Sequence, residues 1–287
     1  MLVDFFIVGA PKAGTTSLFY YLNKNKGICM SSIKEPNFFS SQDLKIQKIY
    51  YDSLILDNLK EYERIFTPKN KQQIIGEASV SYLFYPNVAN RIFDYNPRSK
   101  IIIILRDPVE RAFSHYSMDL RLGHVKQSLD ELFDLGLNNK DNLFFQQYIL
   151  LGQYYEQVNR YIEVFGRENI CVKFYDELKL DASSFYSDIL KFLHQENDHN
   201  IDFNQPFNKS KLPSNKFIKW LYSWPIIRKI SLIFLPLSVI EFINIKFFKE
   251  NNNIITNDLK SKLHSFFLED IEKLEKLLSK DLKSWKK

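Results

Sequence analysis

Cysteine is scarce in this chain: its 287 residues include two, Cys29 and Cys171. Two cysteines cannot supply the disulfide framework of a small secreted protein, and their separation matches no metal-ligand spacing. We therefore expect both to be small buried residues in a reducing compartment. Since 45% of the residues are apolar, the chain can form a large hydrophobic core without such cross-links.

Uninterrupted apolar runs long enough to cross a membrane are also missing. The stretch Ile230–Phe248 is broken by Pro236, Glu241 and Lys246, whereas a spanning helix needs about 20 apolar residues. It is interpreted as buried or amphipathic helices, which leaves peripheral membrane contact through residues 217–248 open. No signal peptide precedes the first predicted strand, so a cytoplasmic location is expected.

Charge of one sign is not concentrated anywhere in the sequence. Lysine and arginine total 39 against 34 acidic residues, a net charge of +5. This mild excess suits an anionic donor or acceptor, but it is too small and too scattered to predict binding of nucleic acid. The sequence carries no signal for an oligomeric state.

Short β-rich runs alternate with longer segments of helical apolar spacing. The predicted strands are Asp4–Val8, Gln73–Gly76, Lys100–Leu105 and Asn169–Phe174. The predicted helices are Thr16–Asn25, Pro108–Leu122 and Gln146–Phe165, followed near the end of the chain by a helix with apolar residues at Leu259, Leu263, Phe267, Ile271, Leu274 and Leu278. This alternation predicts an α/β fold, in which a central parallel sheet carries helices on both faces and binds ligands at the carboxyl ends of its strands.

We expect one domain over residues 1–287. Residues 1–200 would form the α/β core, and residues 201–287 a polar loop, Asn204–Asn215, and a helical C-terminal extension.

The first predicted strand runs directly into a loop of small residues, Gly9-Ala10-Pro11-Lys12-Ala13-Gly14-Thr15-Thr16-Ser17. Free backbone N–H groups and the positive end of the helix dipole favour a phosphate at such a helix start. The spacing nearly matches the nucleoside-triphosphate loop G-x-x-x-x-G-K-[ST], except that Thr15 replaces the lysine and the lysine has moved to Lys12. The displacement argues against an ordinary ATPase or kinase and favours a different phosphate-containing donor.

A second phosphate site is predicted after the apolar strand that ends at Leu105. Arg106 follows this strand, and Asp107, Pro108 and Glu110 form the pattern of a capping box at the start of a helix. Ser114 lies two turns into that helix, on the same face as Asp107. An arginine fork together with a serine hydroxyl can hold a phosphate separate from the first loop.

These two motifs, in this order, resemble those of the sulfotransferases that use 3′-phosphoadenylyl sulfate (PAPS), and most closely the carbohydrate branch that includes the heparan sulfate enzymes. The resemblance implies a soluble, bacterial-type member with a P-loop-like three-layer core, and a donor that requires no metal. It also implies that Arg106 and Ser114 hold the 3′-phosphate of the donor. The 5′-phosphosulfate would be held by the first loop, that is by Lys12, Ala13, Gly14, Thr15, Thr16 and Ser17.

Three further segments match the same family in part. Lys34-Glu35-Pro36-Asn37-Phe38-Phe39 resembles the segment that supplies the catalytic glutamate, which makes Glu35 the candidate base; the alternative is a surface Lys–Glu pair. Glu77 and Ser79 match an acceptor-side motif, although Glu77 is equally compatible with a buried structural carboxylate. The loop over the nucleotide would supply Lys209, Ser210 and Lys211.

Two positions depart from the heparan enzymes. Asn37 and Ser40 stand where those enzymes usually carry histidine and aspartate, so neither support of the base nor a heparan-like acceptor is carried over.

The function predicted from the sequence is transfer of a sulfuryl group from PAPS to a hydroxyl or amine of an acceptor, a carbohydrate or a glycolipid. Lys34, Arg121, His124 and Lys126 could meet an acidic glycan, but such residues also occur on ordinary surfaces. The alternatives are an ATP-dependent small-molecule kinase and a nucleotide-binding protein that has lost catalysis.

Overall fold

The computed structural model describes residues 2–48, 51, 55–196, 201–203 and 256–287, together with the backbone of residues 211–213 and 248–250. Its central feature is a five-stranded sheet in the order β2-β3-β1-β4-β5, in which every neighbouring pair is parallel. The strands are β1 (Phe5–Gly9), β2 (Ile28–Met30), β3 (Ile74–Ala78), β4 (Lys100–Leu105) and β5 (Ile170–Phe174). A separate antiparallel pair joins β6 (Lys211–Pro213) to β7 (Phe248–Glu250).

Helices connect the parallel strands and extend beyond them. Those in the first half of the chain are α1 (Thr15–Lys24), α2 (Ser41–Gln47), α3 (Leu59–Arg64), α4 (Val88–Tyr95), α5 (Pro108–Leu122) and α6 (Leu129–Asn138). Those that follow are α7 (Leu143–Tyr148), α8 (Tyr154–Phe165), α9 (Tyr175–Leu180), α10 (Ala182–Leu193) and α11 (Asn257–Leu278). The α/β class and the parallel sheet predicted from the sequence are confirmed.

The two strands that lead to the predicted phosphate sites lie side by side in the core. Residues Phe5–Val8 of β1 and Ile101–Leu105 of β4 are completely buried. A strand buried at every position must be covered on both faces of the sheet, which explains why its sequence is continuously apolar rather than alternating. The pairing of these strands brings the loop after β1 next to the residues that follow β4.

The helix predicted over Gln146–Phe165 is wrong in its middle, because the chain leaves the helix at Ile149 and begins a new one at Tyr154. Gly152 packs so tightly that an added Cβ would lie 3.1 Å from the ring of Phe267 and from Cβ of Pro108. The carboxylate of Asp270 then accepts hydrogen bonds from the N–H groups of Tyr154 and Tyr155, at 2.7 and 3.1 Å. Helix α8 is therefore started by a cap from a distant helix, which local periodicity cannot reveal.

The predicted C-terminal helix is confirmed as α11, which packs against α5 and α8. Five of its six predicted apolar positions are buried, and Leu278 is half-buried. After α11 the chain returns to the core, where the ring of Trp285 lies 5.6 Å from that of Phe174. The extension therefore contributes to the same hydrophobic core as the sheet.

Two predictions need correction or fall outside the structure. The polar loop predicted over Asn204–Asn215 is wrong at Lys211–Pro213, which form β6, because their partner β7 is remote in sequence and leaves no local signal. The remainder of that loop and the apolar segment Ile230–Phe248, apart from Phe248 in β7, lie outside the described residues. Among the helices of the part described, none is long and apolar enough to span a membrane.

Candidate active site

The loop after β1 forms an open helix N-terminus, as its sequence predicted. Gly14 precedes α1 with a φ of 90°, and an added Cβ there would lie 2.6 Å from Cδ2 of Leu178, so glycine is required. No side chain caps the helix, and the N–H of Leu18 bonds to the Gly14 carbonyl at 3.2 Å. The amides of Thr15, Thr16 and Ser17 thus have no partner one turn back, and they can hold an anion at the positive end of the helix dipole.

Lys12 lies inside this loop with a φ of 68°, and the residue is half-buried. Its Nζ is 3.4 Å from Sδ of Met118 on α5. Burial, together with the positive charges of Arg121 and Arg106, lowers the pKa of Lys12 to about 8, while Asp119 and Glu35 oppose this shift. Lys12 therefore lies within electrostatic range of the two other side chains that the motifs singled out, Arg106 and Glu35.

Arg106 lies against the first loop. Its Nη1 donates to the Lys12 carbonyl at 3.3 Å, and its guanidinium carbon is 4.8 Å from the centre of the Tyr175 ring. Nη2 donates to Glu110 at 3.2 Å. These contacts hold a cation at the carboxyl end of β4, and Ser114 is half-buried on the helix that starts immediately afterwards.

The cap at the start of α5 differs from the prediction in one respect. Asp107 accepts hydrogen bonds from the N–H groups of Val109 and Glu110, at 2.8 and 3.0 Å, as expected. The carboxylate of Glu110, however, pairs with Arg106, so the predicted reciprocal bond to the N-cap is replaced by an ion pair. The sequence suits both arrangements, and the proximity of the first loop decides between them.

Glu35 lies in the loop after β2, with a φ of 62° and its N–H bonded to the Ala78 carbonyl at 2.9 Å. Its carboxylate forms an ion pair with Lys34, the pairing that the sequence left as an alternative. The same carboxylate, 37% exposed, lines a cavity of about 140 Å³ that reaches Pro11 of the first loop. Glu35 thus forms the ion pair and still borders the cavity, which extends to the loop after β1.

Side-chain hydrogen bonds attach the Glu35 loop to the end of β3. The Nδ2 of Asn37 donates to the Glu35 carbonyl at 2.7 Å, and its Oδ1 accepts from Ser81 at 2.7 Å. Oγ of Ser81 is also 2.8 Å from that of Ser40, and the N–H of Asn37 donates to Ser79 at 3.1 Å. Asn37 and Ser40, the two departures from the heparan pattern, thus belong to one uncharged network, which we call the Asn37 clamp: Asn37, Ser40, Ser79 and Ser81.

Glu77 and Ser79 are completely buried, so neither offers a surface to an acceptor in this structure. The carboxylate of Glu77 accepts hydrogen bonds from Ser79, Tyr62 and Tyr82, at 2.6, 2.8 and 3.0 Å. Burial raises the pKa of Glu77 to about 7, and these three hydrogen bonds limit the rise. This environment is the buried structural carboxylate that the sequence allowed as the alternative.

A polar cluster beside the cavity was missed by sequence reasoning. The hydroxyl of Tyr51 lies 2.7 Å from Nε2 of His115 and donates to the buried carboxylate of Asp119, which also accepts from Tyr148 at 2.7 Å. Nδ1 of His115 is 3.0 Å from the Gln147 carbonyl, and burial lowers the pKa of this imidazole well below its ordinary value. His115 is thus a packed neutral residue, and nothing in the sequence around Tyr51 connects that tyrosine with α5.

The remaining predicted site residues belong to the late loop. Lys209 and Ser210 lie outside the described residues, and Lys211 is described by its backbone in β6. Within the described ranges, no group of three or more histidine, cysteine, aspartate or glutamate side chains is arranged to hold a metal ion.

Comparison with known proteins identifies the family. The model of the sulfotransferase domain family matches residues 2–229. This match covers well over half of the chain, and the chain therefore belongs to the sulfotransferase domain family. The family resemblance inferred from the two phosphate motifs is confirmed.

Individual relatives agree with this assignment. A crystal structure of a sulfotransferase from Alicyclobacillus acidocaldarius superimposes with a TM-score of 0.72 and 29% identity, and the match covers all of both chains. The membrane-associated sulfotransferase kil1 of Dictyostelium discoideum is 38% identical over 120 residues, which is 42% of this chain and 24% of that protein. Carbohydrate sulfotransferase 15 of Rattus norvegicus is 23% identical over 288 residues, covering 80% of this chain and 50% of the relative. The chain thus matches a quarter to a half of the length of these two curated relatives.

Proposed function

We propose that the chain transfers a sulfuryl group from PAPS to a hydroxyl or amine of an acceptor, in the first instance a carbohydrate or a glycolipid. The observation that carries this proposal is the convergence of Lys12, Arg106 and Glu35 beside the open N-terminus of α1. Lys12 has electrostatic contact with both of the others, and Arg106 is hydrogen-bonded to the loop itself. Family membership favours sulfuryl transfer over the alternative of an ATP-dependent kinase.

The first loop and Arg106 fit a donor with two separate phosphate groups. The amides of Thr15, Thr16 and Ser17 offer donors to one anion, and Arg106 offers a fork at the neighbouring strand end. In this role Lys12 neutralises the charge that develops on the oxygen between sulfur and phosphorus, while Arg106 and Ser114 bind the 3′-phosphate. PAPS supplies an activated sulfuryl group whose bond to the phosphate oxygen breaks during transfer.

Glu35 is assigned the proton transfer. As the acceptor oxygen forms its bond to sulfur, its proton passes to the Glu35 carboxylate, and the bonding electrons of the broken S–O bond leave with adenosine 3′,5′-bisphosphate. Such a reaction depends on positioning and charge stabilisation more than on covalent participation of the protein. The cavity that adjoins both Glu35 and Pro11 provides the place from which an acceptor can approach.

The donor assignment is tested by thermal shift with adenosine 3′,5′-bisphosphate, compared with ATP or ADP plus Mg²⁺. Since a ligand that binds the folded state stabilises it according to its affinity, the bisphosphate should raise Tm strongly and ATP or ADP only weakly. Equal shifts would contradict the proposal in favour of a kinase.

The variant Arg106→Ala tests whether Arg106 binds the 3′-phosphate of the donor. The substitution should weaken bisphosphate binding by about 1.5–3 kcal/mol, the value of a hydrogen bond to a charged group, and leave binding of adenosine 5′-monophosphate nearly unchanged. Arg98→Ala is the matched control, because exposed Arg98 precedes the same strand at its other end. A uniform loss for both nucleotides would place Arg106 at a different phosphate.

A further inference from the structure

The cavity beside Glu35 restricts the size and the chemistry of the acceptor. Its volume is about 140 Å³, close to the roughly 150 Å³ of an engineered cavity that holds one benzene molecule. The cavity is therefore large enough to accept one six-membered ring. Because Glu35 and Pro11 both line the cavity, a hydroxyl carried by a bound ring would lie close to Glu35 and to the loop after β1.

The wall of this cavity is largely apolar. Its apolar members are Pro11, Leu44, Val80, Phe84 and Leu151. Such a wall desolvates whatever enters, and it stabilises a ligand through the burial of CH surface. An ionised group placed against it would lose its hydration without compensation.

The uncharged polar side chains of the wall are mostly bonded within the protein. Asn37 and Ser81 bond to each other in the Asn37 clamp, Tyr51 donates to Asp119, and Tyr85 donates to Gln47. Few of these groups are thus available to bind the many polar atoms of an anionic sugar. Tyr51 and Tyr85, with Phe84, instead offer aromatic faces against which a ring can pack.

The charge of the residues that line the cavity also disfavours an anionic acceptor. Among the described residues that line the cavity, Glu35 is the charged one, and there is no lysine, arginine or histidine. Of the cations close to Glu35, Lys34 is already paired with it, and Lys12 belongs to the loop after β1, where the proposed donor would neutralise it. An acceptor carboxylate or sulfate seated here would face a negative charge at short range, which is unfavourable in a partly desolvated site.

We propose that this site takes an uncharged, ring-sized alcohol that presents a CH face, such as a neutral pyranoside, and that it rejects acidic glycan units. The proposal rests on the sulfuryl-transfer function above and specifies its acceptor. It differs from the acidic-glycan acceptor suggested in the sequence by Lys34, Arg121, His124 and Lys126.

Matched pairs of rings test the proposal directly. The probes are methyl β-D-glucopyranoside against methyl β-D-glucuronide, and cyclohexylmethanol against cyclohexanecarboxylate, titrated by ligand-observed NMR in the presence of adenosine 3′,5′-bisphosphate. The neutral member of at least one pair should bind, and about tenfold or more tightly than its anionic partner, because the carboxylate meets Glu35 across a poorly solvated space. An anionic member that binds as well as its neutral partner, or the failure of both neutral rings to bind at tens of millimolar, would overturn the proposal.

A charge substitution on the wall provides the internal control. Val80→Lys adds a cation to the half-buried wall and should shift the preference toward the anionic ring, whereas Ile46→Lys adds the same charge at a site that is 81% exposed and outside the wall. An unchanged preference in Val80→Lys, with Tm and bisphosphate binding retained, would count against the assignment. Failure of the donor function is seen separately: in that case the bisphosphate does not bind, whichever ring is preferred. Sulfuryl transfer to the glucuronide in preference to the glucoside would instead preserve the function and overturn this inference.

Discussion

At the scale of single residues, Lys12 is the group whose environment departs most clearly from that of a surface lysine. It is partly buried and shares its surroundings with two arginines, and its Nζ contacts the sulfur of Met118. A cation held in this way attracts an anionic donor strongly, because little water screens it. The same environment makes its charge sensitive to pH in an accessible range.

We therefore predict that donor binding weakens as the pH rises through about 8, the pKa of Lys12 in the folded protein, rather than near the ordinary lysine value of 10.5. Above this pH the neutral amine no longer attracts the bisphosphate. The pKa of Lys12 is lower in the folded protein than in the unfolded chain, so loss of this proton between pH 8 and 10.5 stabilises the fold. The expected loss of binding is therefore not caused by unfolding through this group. Isothermal titrations between pH 6 and 10 check this. Lys12→Arg, which remains charged, should lose the alkaline decline, and an unchanged decline in that variant would assign it to another group.

At the scale of elements, the loop that carries Glu35 is held by uncharged hydrogen bonds. The Asn37 clamp attaches the loop to the end of β3, and the backbone of Glu35 adopts a positive φ that the clamp maintains. Positive φ is unfavourable for a residue with a side chain, so such a conformation depends on its neighbours. Asn37 thus fixes the backbone of Glu35, the proposed base, while Lys34 pairs with its carboxylate.

Asn37→Ala should lower the rate of sulfuryl transfer about ten- to hundredfold, since small misplacement of a reacting group is costly, and leave bisphosphate affinity nearly unchanged. Ser40→Ala is the control, because it removes an outer contact of the clamp and retains the bond between Asn37 and Ser81. Single-turnover rates and binding titrations separate the two effects. Equal losses in both variants, or a loss of donor affinity in Asn37→Ala, would show that the clamp supports the fold in general rather than Glu35.

The buried carboxylate next to this loop gives a prediction about stability. The pKa of Glu77 is raised from 4.5 to about 7, so the folded protein holds this proton more tightly than the unfolded chain does. Stability from this group is complete below pH 4.5 and is lost as the pH rises to about 7. Glu77→Gln cannot ionise, and its Tm should fall less than that of the wild type between pH 5 and 7.5. Parallel Tm curves for the two proteins would contradict the shifted pKa.

Elements with a strong local pattern were predictable from the sequence, and those that depend on distant partners were not. Helix α5 begins and ends as predicted, because Asp107 and Pro108 start it and Gly123 ends it. Strand β2 was missed, since three residues contain too little pattern and its place is fixed by pairing with β3. The break before α8 depends on Asp270, more than one hundred residues away.

The same distinction applies to the site. The loop after β1 and the Arg106 segment are contiguous motifs, so the sequence singled them out, and the parallel pairing of β1 with β4 places them side by side. The burial of Glu77 and the approach of Tyr51 to α5 depend on how separate elements pack. Polar networks of this kind leave no periodicity along the chain.

At the scale of the whole molecule, the parallel sheet assembles the site from segments far apart in sequence. Strands β1 and β4 are adjacent, so that Arg106 reaches the carbonyl of Lys12 across 94 positions of sequence. The loop after β2 returns over β3 and brings Glu35 to the same edge. In the proposed function the loops after β1 and β4 form the donor side of the site, and the Glu35 loop forms the acceptor side.

The central claim, that these two sides together transfer a sulfuryl group, is tested most directly by mass spectrometry of neutral and acidic acceptors incubated with PAPS and either wild type or Glu35→Gln. The substitution preserves the size of the side chain and removes its basicity. The wild type should form a sulfated product, and Glu35→Gln should bind the bisphosphate normally while its transfer rate falls about 10²–10⁴-fold, the usual contribution of a general base. Bisphosphate binding without any product from the wild type, across the acceptor panel, would contradict the account and favour a nucleotide-binding protein that has lost catalysis.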